Sequence, residues 1–244
     1  MEGARALSSQ SAPSAVTRDK FAYFDFQLGQ PNWSGASVLD FGGNRGDLLA
    51  GAGGAIDSSR YWNLDVSRKA VNAGARRFRQ GHFVHYNRWH YCYNPHGSRR
   101  EPLPRLPVRF DFILAFSVFT LIDEIELVEL ITGLKSQLAE GGVLAFTFID
   151  PCYRQMLNGR LVTNLEWRLE VAAESGVPID PSTMAMATDP TASCYLIERQ
   201  WIEEAPRLAF ETFMTADHVL ALFPGCRTLA PAMNFRHHCC VIRQ

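Results

Sequence analysis

Two apolar rhythms alternate along the chain. Short, nearly continuous runs are followed by segments whose apolar residues recur every three or four positions, the signature of strands feeding helices. The run 38–41 ends in a Gly-rich turn, with a helix expected from Gly46 to about Ala52. Residues 60–65 predict a second strand, after which Ser67 caps a helix reaching about Arg79. A third strand is expected at 82–86 and a fourth at 110–116, the latter apolar enough to be buried on both faces of a parallel sheet. Asp123 then caps a helix whose first turn carries Glu124 and Glu126, where the helix dipole favours acids. Ile125, Val128, Ile131, Leu134 and Leu138 are expected on its buried face, with the pair Gly141 and Gly142 as its stop. Residues 143–149 read as a fifth strand.

The flanks are less regular. Residues 18–33 carry Phe21, Tyr23, Phe24, Phe26 and Leu28 and predict a short helix on the domain edge, ended by Pro31. Residues 152–190 hold a predicted helix (164–174) and a Pro/Met-rich stretch, and read as an insertion. Strand-like pieces follow at 194–201 and 208–213, then a helix at 216–223 capped by Thr215, then strands at 226–230 and 237–242. Such alternation argues an α/β fold with a mostly parallel sheet.

Composition narrows the classes. A chain of 244 residues has room for one α/β domain with additions, so 1–17 is expected to be a disordered tail and 18–244 a single domain. Net charge is −1, which creates no global field to gather nucleic acid, and a nucleic-acid partner is unlikely on that ground. The clusters Arg76, Arg77, Arg79 and Arg99, Arg100, Arg105, Arg109 read as solvated charge. No apolar run approaches the ~20 residues of a membrane span, and the Ala/Ser-rich start lacks the apolar core of a secretory signal. Six cysteines without a Cys-x-x-Cys pair suggest reduced thiols and a cytoplasmic location. His237, His238, Cys239 and Cys240 are contiguous in an expected strand; neighbours there point to opposite faces and cannot converge on a metal, so the cysteines read as core residues.

The chemistry concentrates at Val38-Leu39-Asp40-Phe41-Gly42-Gly43-Asn44-Arg45-Gly46-Asp47. An acid, a glycine-rich turn and a helix start form a nucleotide-type cofactor site at a strand's carboxyl end. The dinucleotide fingerprint Gly-x-Gly-x-x-Gly is absent, and Asp40 would repel a pyrophosphate. Asn44 stands where a middle glycine would be expected, and asparagine tolerates positive φ. Asp65, 25 positions after Asp40, is placed to accept ribose hydroxyl protons. These residues resemble motif I of the class I S-adenosylmethionine (SAM)-dependent methyltransferases. Residues 110–120 resemble motif IV, and 138–146 resemble the Leu-x-Pro-Gly-Gly-x-Leu motif with Glu140 in place of proline.

The resemblance implies a seven-stranded, mostly parallel Rossmann-like methyltransferase sheet. Helices would cover both faces, the last strand would be antiparallel, and an N-terminal helix and an insertion after strand 5 would complete it. It further implies that Asp40 and Gly42, Gly43, Asn44 and Gly46 hold the amino-acid end of SAM, Asp65 the ribose, and Val66 the adenine. Asn87 and Arg88 would lie at the adenine edge, and Phe116 and Ser117 under the sulfonium, where an aromatic face suits a cation. His90, in the long loop 87–108, is the candidate general base. That loop and the insertion would enclose a small-molecule or peptide acceptor, with oxygen ahead of nitrogen as the methylated atom. An RNA-directed enzyme and a non-catalytic binding protein of the same fold are the alternatives.

Overall fold

The computed structural model describes residues 19–157, 159–174, 194–202 and 205–244. The expected tail at 1–17 and the Pro/Met-rich part of the insertion lie outside the described residues. The order is α1 (Lys20–Gln27), β1 (Val38–Phe41), α2 (Asp47–Gly51), β2 (Tyr61–Asp65), α3 (Arg68–Arg77), β3 (His82–His85) and β4 (Phe110–Ala115). Then come α4 (Glu124–Lys135), β5 (Leu138–Phe148), β6 (Arg154–Leu157), β7 (Arg160–Thr163) and α5 (Asn164–Glu174). The chain closes with β8 (Cys194–Ile202), β9 (Ala205–Phe213), α6 (Ala216–Leu222), β10 (Arg227–Leu229) and β11 (His238–Arg243).

Seven strands make one sheet in the order β10-β11-β5-β4-β1-β2-β3. The five from β5 to β3 are parallel, and the final strand β11 runs antiparallel to β5, as expected. Two apolar clusters lie on opposite faces. Leu144, Phe146 and Phe148 of β5, with Cys240 and Ile242 of β11, meet α4 and α6 on one side. Val143, Ala145, Cys239 and Val241 meet α1 and α2 on the other. This is the period-two alternation of a strand buried on both faces, and it makes Cys239 and Cys240 core residues of opposite layers.

Three local expectations are corrected. Ile125 is 84% exposed, while Leu127, Leu130, Ile131 and Leu134 are buried. Each residue turns an α-helix by about 100°, so a series of three-residue steps drifts back by about 60° per step. Ile125 thus ends on the side opposite Leu134, whereas 127, 130, 131 and 134 follow the i, i+3, i+4, i+7 pattern of one face. Leu138 belongs to β5. Second, the Gly141, Gly142 pair does not stop α4, which ends at Lys135, but forms a bulge inside β5. Pairing advances from Phe110↔Leu138 to Phe112↔Val143, and a Cβ on Gly142 would sit 2.8 Å from the Phe110 and Ala139 carbonyl oxygens. Third, α1 is closed by Gly29 rather than Pro31: the Gly29 and Gln30 N–H groups donate to the Phe26 and Asp25 carbonyls, a Schellman ending.

The insertion also runs further than expected. β6–β7 and β8–β9 are hairpins that pair only within themselves, so the added segment extends from β5 to Phe213. It is tied to the sheet's carboxyl edge where Thr212 N donates to Thr120 O and Met214 N to Ile149 O.

The corrected face of α4 makes a direct prediction. Leu127→Ala lowers stability by about 2–5 kcal/mol in chemical denaturation, whereas Ile125→Lys stays within about 0.5 kcal/mol of wild type.

Candidate functional site

Turn 42–46 follows β1 directly. Gly42 has φ +71°, Asn44 +53° and Gly46 +78°, so the turn needs a left-handed residue at each, and asparagine supplies one as the sequence suggests. Glycine at 42 has a second cause, because a Cβ there would meet Val118 Cγ2 at 2.3 Å. At 43 it would meet Asp40 Oδ2 at 2.4 Å and Asn63 Nδ2 at 2.3 Å.

The two acids divide their roles. Asp65 ends β2 and lines a cleft of about 530 Å³ at the carboxyl edge of the sheet. Its Oδ2 accepts from Asn44 N (2.8 Å) and its Oδ1 from Ser67 N (2.7 Å). One side chain therefore fixes both the glycine-rich turn and the start of α3. Asp40 sits behind the turn, 3% exposed, with Oδ2 accepting from the Tyr61 hydroxyl at 2.6 Å. Burial pushes its pKa up to about 6, against the lowering effect of the Tyr61 hydrogen bond. Asp40 and Gly43 are not among the cleft-lining residues and support the turn from beneath; Gly46 also lies off the lining.

Gly42, Asn44, Val66, Phe116 and Ser117 do line the cleft. Phe116 is packed edge-on by Tyr23, Phe24 and Phe235, and the Lys20 ammonium lies 5.8 Å from its ring centre. Ser117 has φ +55°, uncommon outside glycine, and its N–H donates to Thr147 Oγ1 at 2.7 Å. Lys20, Trp89 and Ile122 also line the cleft and were not singled out from the sequence. Lys20 could have been found: it is the first residue after Asp19, which caps the aromatic-rich helix.

The loop residues behave differently from expectation. Asn87 is exposed, off the lining, and its Oδ1 accepts from Asn94 Nδ2. Arg88 reaches the cleft wall with four of its five guanidinium N–H groups already donating. Nε donates to Glu126 (2.8 Å), Nη1 to Glu129 (2.8 Å) and to Glu101 O (2.8 Å), and Nη2 to Glu129 (2.9 Å). It ties both ends of the loop to α4 rather than presenting donors to a base edge. The hydrogen bond from Arg88 holds Glu129 below the usual carboxylate range, while burial pushes Glu126 above it.

His90 lines the cleft, yet its Nδ1 accepts from the backbone N–H groups of Cys92 and Tyr93, both at 3.2 Å. Its ring packs against Tyr91 and Tyr93. Burial lowers its pKa to about 4. A neutral imidazole whose Nδ1 accepts carries its proton on Nε2 and is a donor there. The ring placed by the sequence as a general base here closes the 90–93 turn through Nδ1.

Two measurements test these assignments. Arg88→Met leaves the partly buried Glu126 carboxylate and the Glu101 carbonyl without their donor; the expected loss is about 1–3 kcal/mol in denaturation, with faster proteolysis between residues 86 and 109. For His90, the folded pKa lies below the ordinary value, so its contribution to stability is present above pH 6.5 and lost as pH falls through about 4. Asp40, raised from 3.8 to about 6, works with the opposite sign: it favours the fold below pH 3.8 and loses that contribution as pH rises through 6. Comparing His90→Gln with wild type between pH 4 and 7 isolates the histidine. The variant is expected to lose a smaller share of its stability on acidification, by about 2–3 kcal/mol.

Residues 39–144 match the family model described as a methyltransferase domain. Among solved structures, the chain resembles the glycopeptide N-methyltransferase MtfA complexed with sinefungin (TM-score 0.54, 14% identity, 94% of this chain and 96% of that one). It resembles an S-adenosylmethionine-dependent methyltransferase from Mesorhizobium loti (TM-score 0.54, 13% identity, 91% and 96%). A third is SAM-bound CalS10, an amino pentose methyltransferase from Micromonospora echinaspora (TM-score 0.50, 14% identity, 86% and 85%). No curated protein sequence matches the chain. No helix among the described residues is long and apolar enough to cross a membrane. The matched segment, similar to the methyltransferase domain family, runs from β1 into β5, and the chain shares the Rossmann-like fold of these solved structures.

Proposed function

We propose that the chain transfers a methyl group from S-adenosylmethionine to a small-molecule or peptide acceptor in the cytoplasm. The observation that carries this reading is Asp65, a carboxylate fixed by two backbone N–H groups yet facing the cleft. Each of its oxygens keeps a lone pair for a ribose hydroxyl. Val66 offers an apolar wall for the adenine, and Phe116 presents a ring that already has a cation near it. A cleft of about 530 Å³ lies in the usual range for such ligands. The free thiols of Cys226, Cys239 and Cys240 fit a reducing compartment.

SAM supplies an activated methyl group on a sulfonium, so the protein's task is alignment of the acceptor and exclusion of water. None of the described cleft residues is poised as a base. The Nδ1 of His90 is occupied by two N–H groups, burial raises the Tyr86 and Tyr93 phenols, the free lone pairs of Asp65 are taken by the ribose on this reading, and Glu126 is paired with Arg88. This supports an acceptor that brings its own lone pair, a carboxylate or a neutral amine, over an alcohol. Oxygen methylation thus narrows to carboxylates. The amine alternative is supported by two neighbours whose names specify an amino pentose and a glycopeptide N-methyltransferase.

Calorimetry with SAM and with S-adenosylhomocysteine tests the cofactor: both are expected to bind, and Asp65→Ala to weaken them by about 10–100-fold. Absence of heat with either ligand would sink the proposal. With an amine found by screening extract fractions against labelled SAM, the rate should rise with pH along the amine's own titration. A limb near pH 6.5 that disappears in His90→Gln would restore the histidine as base.

A further inference from the structure

We propose that Lys20 is a cofactor-binding residue that reads the carboxylate of the methionine portion of SAM; this rests on the cofactor reading above. Lys20 lies outside the segment matched by the methyltransferase model, on the N-terminal helix. That helix is anchored at several points. Asp19 Oδ1 accepts from Phe21 N and Ala22 N, and its carboxylate packs where a Cβ on Gly51 of α2 would sit. The Tyr23 hydroxyl donates to His237 O, and Gln27 Nε2 to Ala230 O. α1 therefore spans from α2 to the β10–β11 connection, and its first residue is delivered to the cleft.

The placement of the ammonium is informative. It stands 5.8 Å from the centre of the Phe116 ring and 4.0 Å from Asp47 Oδ2, beyond hydrogen-bond reach. Its side chain is 28% exposed. The other cations on the lining at this end, Arg45 and Lys69, are exposed. Lys20 is thus a partly desolvated cation with a loose partner, beside the aromatic face that suits a sulfonium.

Two cations cannot share one ring face without repulsion. A sulfonium can enter only if the ammonium turns to an anion, and the cofactor brings one: its α-carboxylate lies a short carbon chain from the sulfur. Lys20 would release Phe116 to the sulfonium and take the carboxylate. The site would therefore recognise the carboxylate of the amino-acid tail and discriminate against ligands that lack it.

The test is a double cycle on the full chain. Lys20→Met and wild type are titrated with S-adenosylhomocysteine and with its decarboxylated analogue, S-adenosyl-3-thiopropylamine. Loss of the carboxylate is expected to cost wild type about 10-fold or more and the variant about 2-fold or less. Lys20→Arg should retain most of the discrimination. Equal weakening of both ligands in Lys20→Met would mean a merely structural role and overturn the proposal, as would unchanged binding of both. Binding of S-adenosylhomocysteine by wild type and variant alike would overturn only the Lys20 assignment. No binding by wild type would overturn the cofactor reading as well.

Discussion

Two backbone N–H groups donating to the Asp65 carboxylate join the strand ends on which the cleft is built. Asn44 N comes from the turn after β1 and Ser67 N from the cap of α3. The turn holds an asparagine at positive φ, a conformation that costs of order 1 kcal/mol without compensation. A charge-assisted hydrogen bond to its own N–H offsets that cost. The same bonds orient a carboxylate that is only 8% exposed. Orientation of the acid and conformation of the turn are therefore one arrangement, and neither survives alone.

Asp40 shows what the same side chain does without such donors. It meets the Tyr61 hydroxyl, with Gly43 pressed against it, and its pKa rises to about 6. Its neighbours shape the turn but give it no path to the cleft. The long loop after β3 has an analogous hub in Arg88. Ordering such a loop costs conformational entropy, and four charge-assisted or polar contacts from one guanidinium offset it. A side chain so committed builds the wall, with Val66, Trp89 and Tyr93 on the cleft lining beside it.

What the sequence revealed follows from the range of the interactions involved. Strand order, the caps at Ser67, Asp123 and Thr215, and the tolerance of Asn44 for positive φ depend on residues a few positions apart, and were legible. Asp65 was legible because its spacing from Asp40 is set by one strand–helix–strand unit. The commitments of Arg88 and His90 were not. Arg88 meets partners 13 to 41 positions away, and nothing in the loop's composition announces them. His90 is a turn closer because two neighbouring N–H groups curl onto Nδ1, a geometry that a list of histidines in a loop does not contain. The bulge at Gly142 was read as a helix stop because both uses of a glycine pair look alike until the carbonyl of Phe110 is seen against it.

The insertion is joined to the floor of the cleft through one short segment. Ser117 is kept at positive φ with its N–H on Thr147 of β5, and its hydroxyl lies 3.2 Å from that of Thr120. Thr120 and Ile122 accept in turn from the backbone and hydroxyl of Thr212, at the end of the β8–β9 hairpin. The insertion is thus bonded to the stretch that floors the cleft. If methyl transfer is governed by alignment, a shift of this hairpin would move Ser117 and Phe116 relative to the turn at Asn44. Acceptor choice and methyl-group geometry would then respond to the same few hydrogen bonds, and on the proposed function the added hairpins would belong to the catalytic unit.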